Sequence, residues 1–293
     1  MHGVQQWEAQ LVVDAHAQLG EGPVWCAGEG VLYWVDIDLG RVHRYDPVTG
    51  TDEFLEVGEP VGAVVPTRSG GLALAARNGF GLIEAWPQPA RMLAGVEADR
   101  PETRMNDGAC DTRGRFWAGT MHAGAVEPGH GSLYRLDPDG TVTRMVEDVS
   151  ISNGVAWSPD DTVMYYVDTP SGGVDVFDFD AEHGEISGRR RLLDIDPEDG
   201  EPDGLIVDAE GCLWIGLWNG WAVRRYDPDG TLVGVVSVPC ARVTKCAFGG
   251  TALDELYITT ASPDEPSSNE PHAGGLFRVS PGVTGLPATP FAR

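Results

Sequence analysis

The chain has 293 residues, 42% hydrophobic and 22% charged, the composition of a soluble globular protein long enough to bury a substantial core. Acidic residues outnumber basic ones 45 to 20, a formal net charge of -25, so nucleic acid and anionic membranes are poor partners for its surface. No apolar run approaches the roughly 18 residues of a membrane span, and MHGVQQWEAQ lacks the basic start and apolar run of a leader, so a cytoplasmic location is expected.

In chain order, Trp7–Asp14 (WEAQLVVD) alternates as a strand does. A unit then recurs: a small or acidic residue, glycine, an apolar strand, a turn, an aromatic-rich strand and a further strand ending in a turn of the Asp-Pro-x-Gly kind. Copies start near residues 22, 62, 107, 153, 203 and 245. Their period of roughly 40 to 50 residues is that of propeller blades, and no long segment has helical periodicity. Asp139-Gly140 and Asp229-Gly230 are hairpin turns, because glycine adopts positive φ cheaply. The sixth copy supplies about three strands before a proline-rich tail from Pro281, and Trp7–Asp14 supplies the fourth. The expected fold is therefore all-β, a six-bladed propeller closed by the N-terminal strand and spanning 1–293 as a single domain.

In such a fold the residue preceding each innermost strand lies at one mouth of the central channel. Those residues are Glu21, Val61, Asn106, Asn153, Asp203 and Thr244, with Asp107 adjacent. Each alone reads equally as a turn residue or strand cap. Together they form a ring of carboxylates and amides, and crowded carboxylates repel one another unless a cation lies between them. An oxygen-only set suits one hard divalent ion: Ca²⁺ first, with Mg²⁺, Mn²⁺ and Fe²⁺ also compatible and Zn²⁺, which favours nitrogen and sulfur, behind them. An open ligand set leaves room for water and substrate, as catalysis requires.

Competing chemistry is absent from the pattern. There is no G-x-S-x-G, H-E-x-x-H or G-x-x-x-x-G-K-[ST], the seven histidines have no ligand spacing, and Asp137-Pro-Asp139-Gly140 and Asp227-Pro-Asp229-Gly230 lack the twelfth-position acid of a calcium loop. Five cysteines without a CxxC pair are expected to be reduced thiols.

LGEGPVW (19–25), RMNDGACDTRGRFWAGTM (104–121), SNGVAWSPDD (152–161) and EPDGLIVDAEGCLWIG (201–216) resemble the regucalcin/gluconolactonase (senescence marker protein) family over essentially the whole chain. The resemblance implies a six-bladed propeller that hydrolyses aldonolactones with a divalent metal held by Glu21, Asn153 and Asp203. It implies Asp203 as general base, and Arg104 and Asn106 as substrate contacts. Animal members carry acidic residues after the GTM motif, one of which touches the sugar. Here the stretch is GTM-HAG, which puts His122 or Gly124 there and is closer to bacterial xylono- and arabinonolactonases. His122 is thus a candidate substrate contact, and Trp218 and Trp221 are candidate pocket walls. The expected partner is a small sugar lactone, and the expected assembly a monomer or weak homodimer. Two other readings stay open: a metal-binding regulator or scaffold without turnover, and a paraoxonase-type esterase.

Overall fold

The structure, a computed structural model, describes residues 3–124, 126, 128–265 and 268–293, so His2 of the surveyed histidines lies outside it. Each of the six sheets begins with an inner strand: Gly20–Cys26, Val61–Pro66, Thr103–Cys110, Ser152–Trp157, Glu201–Val207 and Val243–Gly249. Three further strands follow outward in antiparallel order, and the inner strand of every blade packs against those of the next and the previous one, which closes a ring. Apart from two short 3₁₀ turns, Thr169–Ser171 and Pro197–Asp199, no helix occurs among the described residues.

Alternating strands bury both faces only if blades stack face to face, and the core divides accordingly. Six hydrophobic clusters sit one between each adjacent pair of blades: Phe80 and Phe116 between blades two and three, for instance, and Trp25 and Tyr257 between six and one. Large side chains such as Trp34, Trp117, Trp214 and Tyr257 are fully enclosed. Two of these tryptophans are anchored by a repeated device. Trp117 Nε1 donates to Asp111 at 2.9 Å and Trp214 Nε1 donates to Asp208 at 2.9 Å, so each buried indole has the polar partner it needs.

The ends of the chain close the ring. Gln10–Val13 pairs antiparallel with Leu276–Val279 as the outer strand of blade six, as expected. The segment read as one strand is split, however. Gln5–Glu8 instead runs parallel to Leu232–Ser237 and adds a fifth strand to blade five. The reason lies in Trp7, whose ring packs on Trp214 at 5.7 Å in the space that Gly234 leaves open. Beyond Pro281 the tail bridges Asp208 at Gly285, crosses the channel at 286–289, and bridges Thr67 at Phe291, which is completely buried. It thereby caps an apolar cavity of about 310 Å³ at the end of the channel remote from the Glu21 position.

Every inner strand carries a β-bulge at the same place. In blade one Glu21 pairs Val35 but Val24 pairs Tyr33, leaving one residue too many on the inner strand; equivalent shifts follow Val61, Met105, Ser152, Pro202 and Val243. A bulge re-aims side chains out of the ladder, so sixfold repetition turns one local irregularity into a ring of side chains directed at the axis.

Candidate functional site

The bulges hold Asn106, Asn153, Asp203 and Thr244, with Glu21 at the edge of its own. Glycines beside them let the inner strands approach. A Cβ on Gly154 would lie 2.7 Å from the Leu205 nitrogen and 2.9 Å from the Asp203 carbonyl oxygen, and one on Gly204 would collide with the Lys245 side chain. The Asn153-Gly154 and Asp203-Gly204 pairs are therefore close-approach sites rather than turns.

Glu21 and Asp203 are 3% and 6% exposed, and their carboxyls are in hydrogen-bonding contact with each other. Burial, reinforced by the neighbouring Asp107, pushes Glu21 up to about 8. Asp203 is raised well above the ordinary carboxylate range by burial, then by Glu21 and Asp107. Without a cation, the two acids hold a proton that free carboxylates would have lost.

Asn153 completes this group and is held from two sides. Its Nδ2 donates to Thr169 Oγ1 at 2.8 Å, Thr169 Oγ1 donates to the Pro202 carbonyl at 2.8 Å, and Asn153 Oδ1 accepts from Asn106 Nδ2 at 2.9 Å. With its amide nitrogen committed to Thr169 and one lone pair of its oxygen to Asn106, Asn153 keeps a second lone pair as acceptor capacity. Asn106 also donates to the Ser152 carbonyl at 2.9 Å, and its Oδ1 accepts from Arg104 at 2.6 Å. The remaining ring positions do not contribute ligands. Val61 is buried in the core between blades one and two, and Thr244 Oγ1 is spent on the Gly20 carbonyl at 2.6 Å and on Thr259.

Asp107 and Lys245 form a buried ion pair beneath the ring, an arrangement the sequence reading missed. Asp107 Oδ1 also accepts from the Gly108 N–H at 2.7 Å, whereas Oδ2 is buried with no hydrogen-bond partner. An orphaned carboxylate oxygen beside two carboxyls that burial keeps protonated marks a site with more oxygen than compensating charge. The residues present thus fit a hard divalent cation, which the Glu21 and Asp203 carboxyls and the Asn153 amide oxygen could hold.

Above the ring lies a cavity of about 870 Å³. His122 and Trp218 both line it, whereas Trp221, 44% exposed and in a left-handed conformation, is not among its walls. His122 Nδ1 accepts from the Gly124 N–H at 3.1 Å, and its ring meets His130 edge-on at 5.8 Å. The Trp218 ring is covered by the Arg242 guanidinium at 4.9 Å, and Arg242 is tied in turn to Asp264 at 2.9 Å. Arg104 is buried; desolvation works against its charge, which Asp38, Glu21 and Asp203 offset. It therefore sits within electrostatic reach of both the acidic pair and the cavity wall.

A second cluster, Asp208, Glu210 and Cys212, brings potential ligand atoms within 4.8 Å of one another. Its two acids already share the Arg225 guanidinium. Arg225 donates to Asp208 at 2.7 Å and Glu210 at 2.6 Å, and the other Asp208 oxygen accepts the Glu210 and Cys212 N–H groups at 2.9 Å. Asp111 of blade three repeats this structural arrangement with Arg115 and Trp117.

Comparison with known proteins gives a consistent grouping. Residues 19–262 match the SMP-30/Gluconolactonase/LRE-like region family. Regucalcin of Xenopus laevis is 39% identical over 97% of this chain and 98% of its own. The solved structure of a calcium-binding protein, regucalcin, from Agrobacterium tumefaciens superposes with a TM-score of 0.93 at 28% identity, covering 100% of both chains. A gluconolactonase structure from Xanthomonas campestris superposes with a TM-score of 0.76 at 26% identity, covering 92% of this chain and 88% of that one.

Proposed function

The chain belongs to the SMP-30/gluconolactonase/LRE-like family, and from that premise we propose that it hydrolyses the ester bond of a sugar lactone, using one divalent cation held by Glu21, Asn153 and Asp203. The observation that carries this reading is the convergence of two buried acids and an oriented amide oxygen beneath an 870 Å³ cavity. The gluconolactonase among the structural neighbours supports the ester chemistry, and the neighbour described as calcium-binding supports Ca²⁺ as the ion.

A bound divalent cation supplies Lewis acidity to the lactone carbonyl and stabilises the charge that develops there. The protein's residues do the rest. Asp203 accepts the proton of the attacking water at a carboxylate oxygen; in the metal-free site burial and the neighbouring Glu21 raise its proton affinity above the ordinary carboxylate range. Arg104, fixed by Asn106 at 2.6 Å and by the Met105 carbonyl at 3.1 Å, offers its remaining N–H groups to the substrate. Thr169 and Asn106 hold Asn153 so that no reorganisation is needed when substrate arrives. A lactone is an activated ester, so no nucleophilic side chain is required, in keeping with a site built from acids and amides.

The test is a pH-stat assay of pentono- and hexonolactones with protein stripped by chelator and then refilled with Ca²⁺, Mn²⁺, Mg²⁺, Fe²⁺ or Zn²⁺. Turnover that disappears on stripping and returns with metal is expected. Tight metal binding with no turnover on any lactone would favour a regulatory or scaffold role instead.

A further inference from the structure

The turn between the second and third strands of blade one carries two aspartates with different fates. Asp36 does the structural work: its carboxylate accepts the N–H groups of Gln18 at 2.9 Å, Leu19 at 3.2 Å and Leu39 at 3.3 Å. Asp38, at the tip, makes no hydrogen bond or ion pair among the described residues and lines the cavity above the axial ring. Several turn aspartates elsewhere in the chain behave otherwise. Asp46, Asp139, Asp180 and Asp227 each accept a backbone N–H of their own turn, at 2.8, 2.9, 2.9 and 2.8 Å respectively.

An acid that serves neither its turn nor an ion pair, on the wall of a cavity, has its acceptor capacity free for a ligand. Asp38 is exposed at the tip; desolvation by its surroundings raises its proton affinity and the charge of the buried Arg104 lowers it, so the two groups sense each other without a hydrogen bond. One supplies donors only and the other, ionised, acceptors only, which is the pairing needed to grip vicinal hydroxyls from two sides. The stretch after Met121 offers His122, Ala123 and Gly124 to the same cavity, none of them an acid.

We propose that Asp38 is a specificity residue of this site, its carboxylate accepting hydrogen bonds from the hydroxyls of a neutral aldonolactone and repelling lactones that carry a carboxylate. The inference rests on the lactonase reading and adds a residue that selects among lactones. A hydrogen bond to a charged group changes selectivity about tenfold to a hundredfold.

The experiment compares glucono-δ-lactone with δ-valerolactone, which has the same ring and no hydroxyls, in the metal-loaded wild type, Asp38→Ala and Asp38→Asn. The ratio of kcat/KM for the hydroxylated over the bare lactone should fall at least tenfold in Asp38→Ala. Asp38→Asn should keep part of it and should lower KM for glucaro-1,4-lactone, whose second carboxyl stays free and ionised. A ratio unchanged in Asp38→Ala would overturn the proposal, because it would assign Asp38 a structural or purely electrostatic part. If the wild type opens neither lactone, the lactonase reading fails, and Asp38 is judged by calorimetric binding of anhydroglucitol, a cyclic polyol without the ester. Weaker binding to Asp38→Ala supports it, and equal or absent binding to both proteins overturns it.

Discussion

Without a bound cation the axial acids are a liability that grows with pH. Burial lifts Glu21 from an ordinary 4.5 to about 8, so the metal-free folded protein holds a proton that the unfolded chain releases. Stability from a raised carboxyl is fully present below pH 4.5, is lost progressively as pH rises, and stops falling above about 8. At 1.36 kcal/mol per pH unit the whole loss is on the order of 5 kcal/mol, a large part of the stability of a typical domain. Asp203 is shifted in the same direction and adds to the trend. A divalent cation reverses the sign of the effect: ionised acids are what it binds, so its stabilisation should be largest at pH 8 to 9. The assay is urea unfolding at pH 5, 7 and 9, in chelator and in excess Ca²⁺, for the wild type and Glu21→Gln. Chelated wild type should weaken from pH 5 to 9 by several kcal/mol more than Glu21→Gln does, and Ca²⁺ should remove the difference. Identical pH slopes for the two proteins in chelator would refute the reasoning.

Two further substitutions probe the support of the ring. Lys245→Met leaves Asp107 buried and uncompensated and should cost about 3–5 kcal/mol; adding Asp107→Asn should recover part of it, and strictly additive losses in urea unfolding would show that the pair is not coupled. Thr169→Val keeps the shape but removes both the acceptor for Asn153 Nδ2 and the donor to the Pro202 carbonyl. Cation affinity by calorimetry should drop about tenfold to a hundredfold, and unchanged affinity would mean that Asn153 orients itself.

Much of this was legible in the sequence because the bulge repeats. Glu21, Asn106, Asn153 and Asp203 stand at equivalent points of their blades, beside the glycines that permit close approach, and a period is readable without any contact map. What repetition does not encode was lost. Lys245 occupies a place that is glycine in blades four and five, and its partner Asp107 lies three blades away. Thr169 reaches Asn153 only because a 3₁₀ turn folds back over the bulge. Trp7–Asp14 alternates well enough to read as one strand, so nothing local revealed that Ala9, bonded to the Ser237 carbonyl at 2.9 Å, is where the chain leaves one blade for the next. Trp221 looked equivalent to Trp218, yet only Trp218 is turned into the cavity. Asp38, in VDIDLG, reads as an ordinary turn residue until its hydrogen bonds are sought and none is found.

Crystals soaked in Mn²⁺ and measured for anomalous scattering test the central claim most directly. The strongest peak should lie between the Glu21 and Asp203 carboxyls and the Asn153 side-chain oxygen. A peak only at the Asp208–Glu210–Cys212 cluster, or none on the propeller axis, would contradict it.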